Sequence, residues 1–199
     1  MGFLFRICIL VFVLFGMSNC KTTVAPVVEE EKEEQDEILP IQKKYGAILG
    51  IIPEKVENIA LYNFIDSWME TPYKMGGENR KGIDCSFFAQ FLYHDVYNNL
   101  IERTAEKQYM APSTDKFIGQ EYLKEGDLLF FNTRGSQHHP ISHVGIYLGH
   151  NQFVHSTSRK SSSGRNGVQI SNFTDRHWQK MFVAAGRKAK NTNNITQDN

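Results

Sequence analysis

The apolar residues of this 199-residue chain change their period part-way along, and that change restricts the fold more than any other feature. In PEKVENIALYNFIDSWME, which Pro53 opens as a helix, Leu61, Phe64, Ile65 and Trp68 recur at helical spacing and form one core-facing stripe. Phe88, Phe91, Leu92 and Val96 lie on one face of a second predicted helix over 85–97, with Asp84 as its N-cap. Beyond residue 120 the texture is different. GDLLFF at 126–131, HVGIYL at 143–148, NQFVHS at 151–156, GVQI at 167–170 and MFVAAG at 181–186 are short, β-branched or aromatic, and separated by Gly, Asn and Ser clusters. Helices followed by such strands give an α+β fold, with N-terminal helices packed on a central antiparallel sheet.

The flanks read differently. Residues 1–20, MGFLFRICILVFVLFGMSNC, carry a basic n-region at Arg6 and an apolar core from Ile7 to Phe15, too short for a span. The segment resembles a bacterial lipoprotein signal ending at Cys20, the expected acylation site. Met17 and Asn19 depart from the usual Leu and Gly or Ala of such signals. Residues 21–45 are expected to be an acidic linker around EEEKEEQDE, and 188–199 a polar, disordered tail. The domain is then expected over 46–187. Formal net charge is zero, so nothing global points to a nucleic-acid partner.

Of three cysteines, Cys8 lies within the signal and Cys20 is reserved for lipid. Cys85 alone remains, so the domain closes no internal disulfide. A single thiol in an exported domain is either an inert buried residue or a functional one. Its setting, GIDCSFFAQF, favours function. Behind the Asp84 cap the sulfur sits in the first helical turn, where free N–H groups and the helix dipole are expected to lower its pKa. The glycine-rich stretch 71–82, read as loop, is expected to leave it approachable.

A thiol nucleophile needs a base and a group to orient that base. His143 shares a strand face with Gly145 and Tyr147, and His155 shares one with Phe153. If residues 149–151 form a three-residue loop, Leu148 pairs with Gln152 and His155 falls opposite Gly145, a diagonal step of about 7–8 Å from His143. A two-residue loop breaks this parity. Gly145 is expected to keep the space between the rings open. His143 is read as general base and His155 as the group that holds its tautomer.

DCSFFAQF, then SHVGIYLG and FVHSTS, with TPYKMGG upstream, RTAEKQY at 103–109 and GDLLFF before the histidine strand, together resemble the NlpC-type cell-wall peptidases, a papain-like group. The resemblance covers about residues 58–187. It implies a triad of Cys85, His143 and His155, with Tyr73 beside the nucleophile and Ser86 lining the site. It also implies an endopeptidase acting on peptidoglycan stem peptides or crosslinks, in a family often exported as lipoproteins; a monomer without cofactor, held at the bacterial envelope by its lipid, is expected. Phe87 stands where the family pattern DCSGF has Gly, and a ring there either narrows the pocket or packs sideways.

Other readings compete. His138, His139 and His143 could ligate a metal, but Pro140 between them removes the helical face such spacing needs, so no metal is expected. An inactive peptidoglycan-binding lipoprotein, or a papain-like amidase or acyltransferase, fits the same fold. No GxSxG elbow supports a serine hydrolase.

Overall fold

In the computed structural model, residues 37–160 and 166–189 are described. The expected signal and lipidation site at Cys20 lie outside these residues, as does most of the expected linker and of the tail. Helices α1 (Pro40–Leu49), α2 (Ile59–Trp68), α3 (Cys85–Tyr97), α4 (Ala105–Met110) and α5 (Arg176–Met181) accompany eight strands. A short hairpin, β1 (Glu78–Asn79) and β2 (Gly82–Ile83), precedes α3. The main antiparallel sheet holds β3 (Thr114–Phe117), β4 (Leu128–Phe131), β5 (His143–Gly149), β6 (Gln152–Thr157), β7 (Gly167–Asn172) and β8 (Phe182–Lys188), in the order β3-β8-β4-β5-β6-β7.

Strand alternation divides the core between the two faces of this sheet. Leu128, Phe130, Val144, Ile146 and Val154 face α3, where Phe88, Ala89 and Leu92 are buried against them. Leu129, Phe131, Tyr147 and Phe153 point the other way and bury Phe173 and Trp178. The helix stripe behaves as its spacing implies: Leu61, Ile65 and Trp68 are buried and Phe64 packs at their edge.

Several boundaries differ from the sequence reading. Helix α1 begins at Pro40, so residues 40–45 are helix and not linker, and Tyr45 is wholly buried against Tyr62. Ile41, Tyr45 and Leu49 repeat at four-residue intervals behind an N-terminal Pro40, a helix signal overshadowed by the acidic run before it. At the other end Lys188 is the last residue of β8, and its ammonium is buried on Glu102 (2.7 Å) and Ser113 (3.2 Å). Pro53 begins only a 3₁₀ turn, Pro53–Lys55. The helix restarts at Ile59, because the Asn58 side chain accepts the Leu61 N–H and caps it there.

The β5–β6 connection is a two-residue turn, His150 and Asn151, both at positive φ (50° and 60°). Gly149 pairs with Gln152, yet Tyr147 still pairs with Phe153 and Ile146 with Val154. A bulge between Tyr147 and Gly149 absorbs the extra residue and restores the parity that the short turn would have broken.

Candidate active site

Cys85 opens α3. The Asp84 carboxylate accepts the Phe87 N–H at 2.7 Å, which is the expected cap, and the first turn places the sulfur against the start of β5. The backbone N–H groups of Val144, Ser86 and Cys85 act on that sulfur. They do not win. Cys85 is 7% exposed, and burial pushes its thiol up to about 11, with the neighbouring Asp84 carboxylate adding to the rise. The expectation of an approachable, lowered-pKa thiolate is therefore corrected: the resting Cys85 is a thiol. Desolvation outweighs the helix start because the sulfur is buried in the core, against the backbone of Val144 on β5.

His143 is the first residue of β5, next to Val144, and so lies at the same seam. Its Nε2 is 2.8 Å from His155 Nδ1. His155 is wholly buried, and its Nε2 is 3.0 Å from Ser171 Oγ on β7. The chain of three runs across three adjacent strands. Trp178 closes over it, stacked on His143 at 5.6 Å and edge-on to His155 at 4.7 Å. Burial pulls His143 down to about 4, and His177 nearby adds to this. Burial also holds His155 well below the usual imidazole range, with His143 and His177 contributing. Both rings are neutral at pH 7. The gap expected over Gly145 is filled: the Phe153 ring lies where a Cβ at 145 would stand, 2.6 Å away, and reaches within 4.6 Å of the His155 ring.

Tyr73 is half-buried, bridged to Ile83, with burial and then Cys85 and Asp84 raising its hydroxyl pKa. It stands close enough to Cys85 for the two groups to interact electrostatically. Ser86 is different. Its side chain is buried, its hydroxyl donates to Asp84 Oδ1 at 2.9 Å, and Arg103 donates to it at 3.1 Å. Ser86 is thus built into the helix start and its hydroxyl is already engaged. Phe87 packs sideways, edge-on to Phe91 at 4.4 Å and beneath the Arg103 guanidinium at 4.2 Å. His138 and His139 sit exposed on the turn before β5. Among the described residues no group of three His, Cys, Asp or Glu side chains is arranged to hold a metal ion.

Ser171, Trp178 and Arg103 were not assigned roles from the sequence. Ser171 lies one strand beyond His155 but on the diagonal, since the register pairs it with Phe153 and pairs His155 with Gln169. Trp178 sits on a six-residue helix too short to show a period. Arg103 lies inside the RTAEKQY segment but carries no local signal of its partner 19 positions away.

The family model for NlpC/P60 matches residues 70–187, which include every one of these side chains. The chain belongs to the NlpC/P60 family. It is 35% identical over 129 residues to a "Probable endopeptidase NlpC homolog" of Haemophilus influenzae, covering 64% of this chain and 61% of that relative. The match therefore spans less than two thirds of that protein. A "Murein DD-endopeptidase MepS/Murein LD-carboxypeptidase" of Escherichia coli K12 is 28% identical over 180 residues, 90% of this chain and 88% of the relative. A Staphylococcus aureus NLP/P60 family protein of known structure aligns with a TM-score of 0.55 at 27% identity, covering 66% of this chain and 41% of that one.

Proposed function

We propose that this NlpC/P60 protein is a peptidoglycan endopeptidase that cleaves stem peptides or crosslinks by a Cys85–His143–His155 thiol mechanism. The observation that carries the reading is the 2.8 Å contact between the two imidazoles at the seam that holds the sulfur. Murein endopeptidases among its relatives support the substrate class.

The hydrogen-bond chain dictates the tautomers this mechanism needs. His143 Nε2 is engaged with His155, so Nδ1 is the nitrogen left for the thiol. To accept a proton there, His143 carries its hydrogen on Nε2 and donates it to His155 Nδ1. His155 then carries its own on Nε2 and donates to Ser171 Oγ. A neutral thiol beside a neutral imidazole makes general-base attack the fitting first step. His143 Nδ1 removes the thiol proton as Sγ adds to the carbonyl carbon. It then protonates the departing amine, and water hydrolyses the thioester with His143 again as base. The Cys85 N–H, at the helix start, is the oxyanion donor, and Tyr73 a second donor or substrate contact.

The rest of the reading comes from the sequence: a monomeric enzyme, tethered to the bacterial envelope through lipid on Cys20, with the acidic linker as spacer. Mass spectrometry of purified peptidoglycan digested with the protein tests the activity. New muropeptides differing by one hydrolysed peptide bond are expected. An unchanged muropeptide profile, from protein shown to be folded, contradicts the proposal.

A further inference from the structure

Asp84 presents a problem that its role as a cap does not solve. Its carboxylate is buried and lies next to the residue that must become a thiolate. An uncompensated anion there opposes the charge that develops on the sulfur. Arg103 takes up that carboxylate with both arms, Nη2 to Oδ2 at 2.8 Å and Nη1 to Oδ1 at 3.2 Å. The same Nη1 reaches Ser86 Oγ at 3.1 Å. Gln108, five residues on, donates to the Ser86 carbonyl at 3.0 Å and to the Glu102 carbonyl at 2.8 Å. The 102–108 segment is thus pinned to the first turn of α3 through both Asp84 and Ser86.

Phe87 completes the arrangement. Its ring is the floor under the guanidinium and is itself held edge-on by Phe91. Planar guanidinium over an aromatic face, forked onto a carboxylate, is a geometry that lysine does not reproduce. We propose that Arg103, seated on Phe87, is a positioning residue for the nucleophile, neutralising Asp84 beside Cys85 and bracing the first turn of α3. The inference rests on the reading of Cys85 as nucleophile, and gives the unusual residue at 87 a task.

The groups facing Cys85 that bear on its ionisation are few. Asp84 comes from the cap of its own helix and Tyr73 from the preceding loop, with Arg103 acting through Asp84, while neutral His143 begins β5 next to Val144, whose N–H reaches the sulfur. Removing the two opposite charges of this set in turn makes the test directional. The second-order rate of Cys85 alkylation by iodoacetamide is measured in the full chain, site-specifically by mass spectrometry, from pH 6 to 9. Arg103→Gln is expected to slow it roughly three- to tenfold, and Asp84→Asn to speed it by a similar factor. The double variant should return to within about twofold of wild type. Phe87→Leu should follow Arg103→Gln with a smaller change, and Arg103→Lys, which keeps the charge but loses the fork, should fall between wild type and Arg103→Gln.

A mere loosening of the helix start would speed alkylation in every variant, and that outcome overturns the proposal. So does a double variant that keeps the Arg103→Gln deficit. If Arg103→Gln fails to fold, Phe87→Leu and Asp84→Asn decide together: a Phe87→Leu rate at or above wild type, or an Asp84→Asn rate at or below it, overturns the proposal. Because the readout is alkylation, absent peptidoglycan hydrolysis would remove the peptidase reading while leaving this one standing.

Discussion

His143 Nε2 and His155 Nδ1 stand 2.8 Å apart across β5 and β6, and Ser171 continues the line from the far nitrogen of His155. In this order each group orients the one before it. His155→Ala should therefore lower kcat by roughly two or more orders of magnitude with a smaller change in KM. His155→Asn, which keeps an acceptor near the Nδ1 position, should recover part of the loss. Ser171→Ala should cost less than about tenfold. Steady-state kinetics on a crosslinked muropeptide checks the series, and equal losses in all three would contradict the ordered chain.

The resting thiol is protonated, because burial pushes it up to about 11 while His143 is pulled down to about 4. Without substrate, Cys85 should react with iodoacetamide at pH 7 more slowly than a small free thiol, since the thiolate is the reacting form. Proton transfer then belongs to the acylation step, and a normal solvent isotope effect on kcat/KM is expected. Fast alkylation with no isotope effect would indicate a preformed ion pair instead.

The depressed histidines also set a pH window. Both bind protons more readily in the unfolded chain than in the native one. Stability is therefore fully present above the ordinary histidine value of about 6.5 and falls as pH drops toward 4. Tm measured between pH 7.5 and 4.5 should decline on the acid side, and less steeply in His155→Gln. The acid limb of kcat/KM should lie well below 6.5, in the range where His143 gains its proton.

The amino-terminal reading makes its own prediction. Cys20→Ala should release the protein from the membrane fraction of expressing bacteria, read by fractionation and immunoblot. A variant that sediments with membranes as wild type does would rule out lipid as the anchor.

Where period and register carry the information, the sequence was sufficient. The α3 boundaries, the five strand segments and the shared face of His143 and His155 all follow from spacing. Even the last survived for a reason not visible in the chain. The hairpin loop is one residue shorter than expected, and only the bulge beside Gly149 keeps His155 on the right face. What could not be read depends on distance through space. Cys85 sits at a helix start, which lowers a thiol's pKa, but the sheet packed over it raises the value further. Arg103 is 19 positions from the carboxylate it neutralises. The helices α4 and α5, at six residues each, are too short to display a period, and α5 supplies the tryptophan that roofs the imidazoles. Phe87 departs from the family pattern, and only its neighbours reveal that the ring serves the helix start.

The central claim is that Cys85 is the nucleophile of a peptide-cleaving enzyme. The most direct test is intact-protein mass spectrometry of acid-quenched turnover on a crosslinked muropeptide, with Cys85→Ala alongside. Wild type is expected to show a covalent peptidyl adduct that maps to Cys85, and the variant neither adduct nor product while remaining folded. Product formation by Cys85→Ala at a rate near wild type would contradict the account.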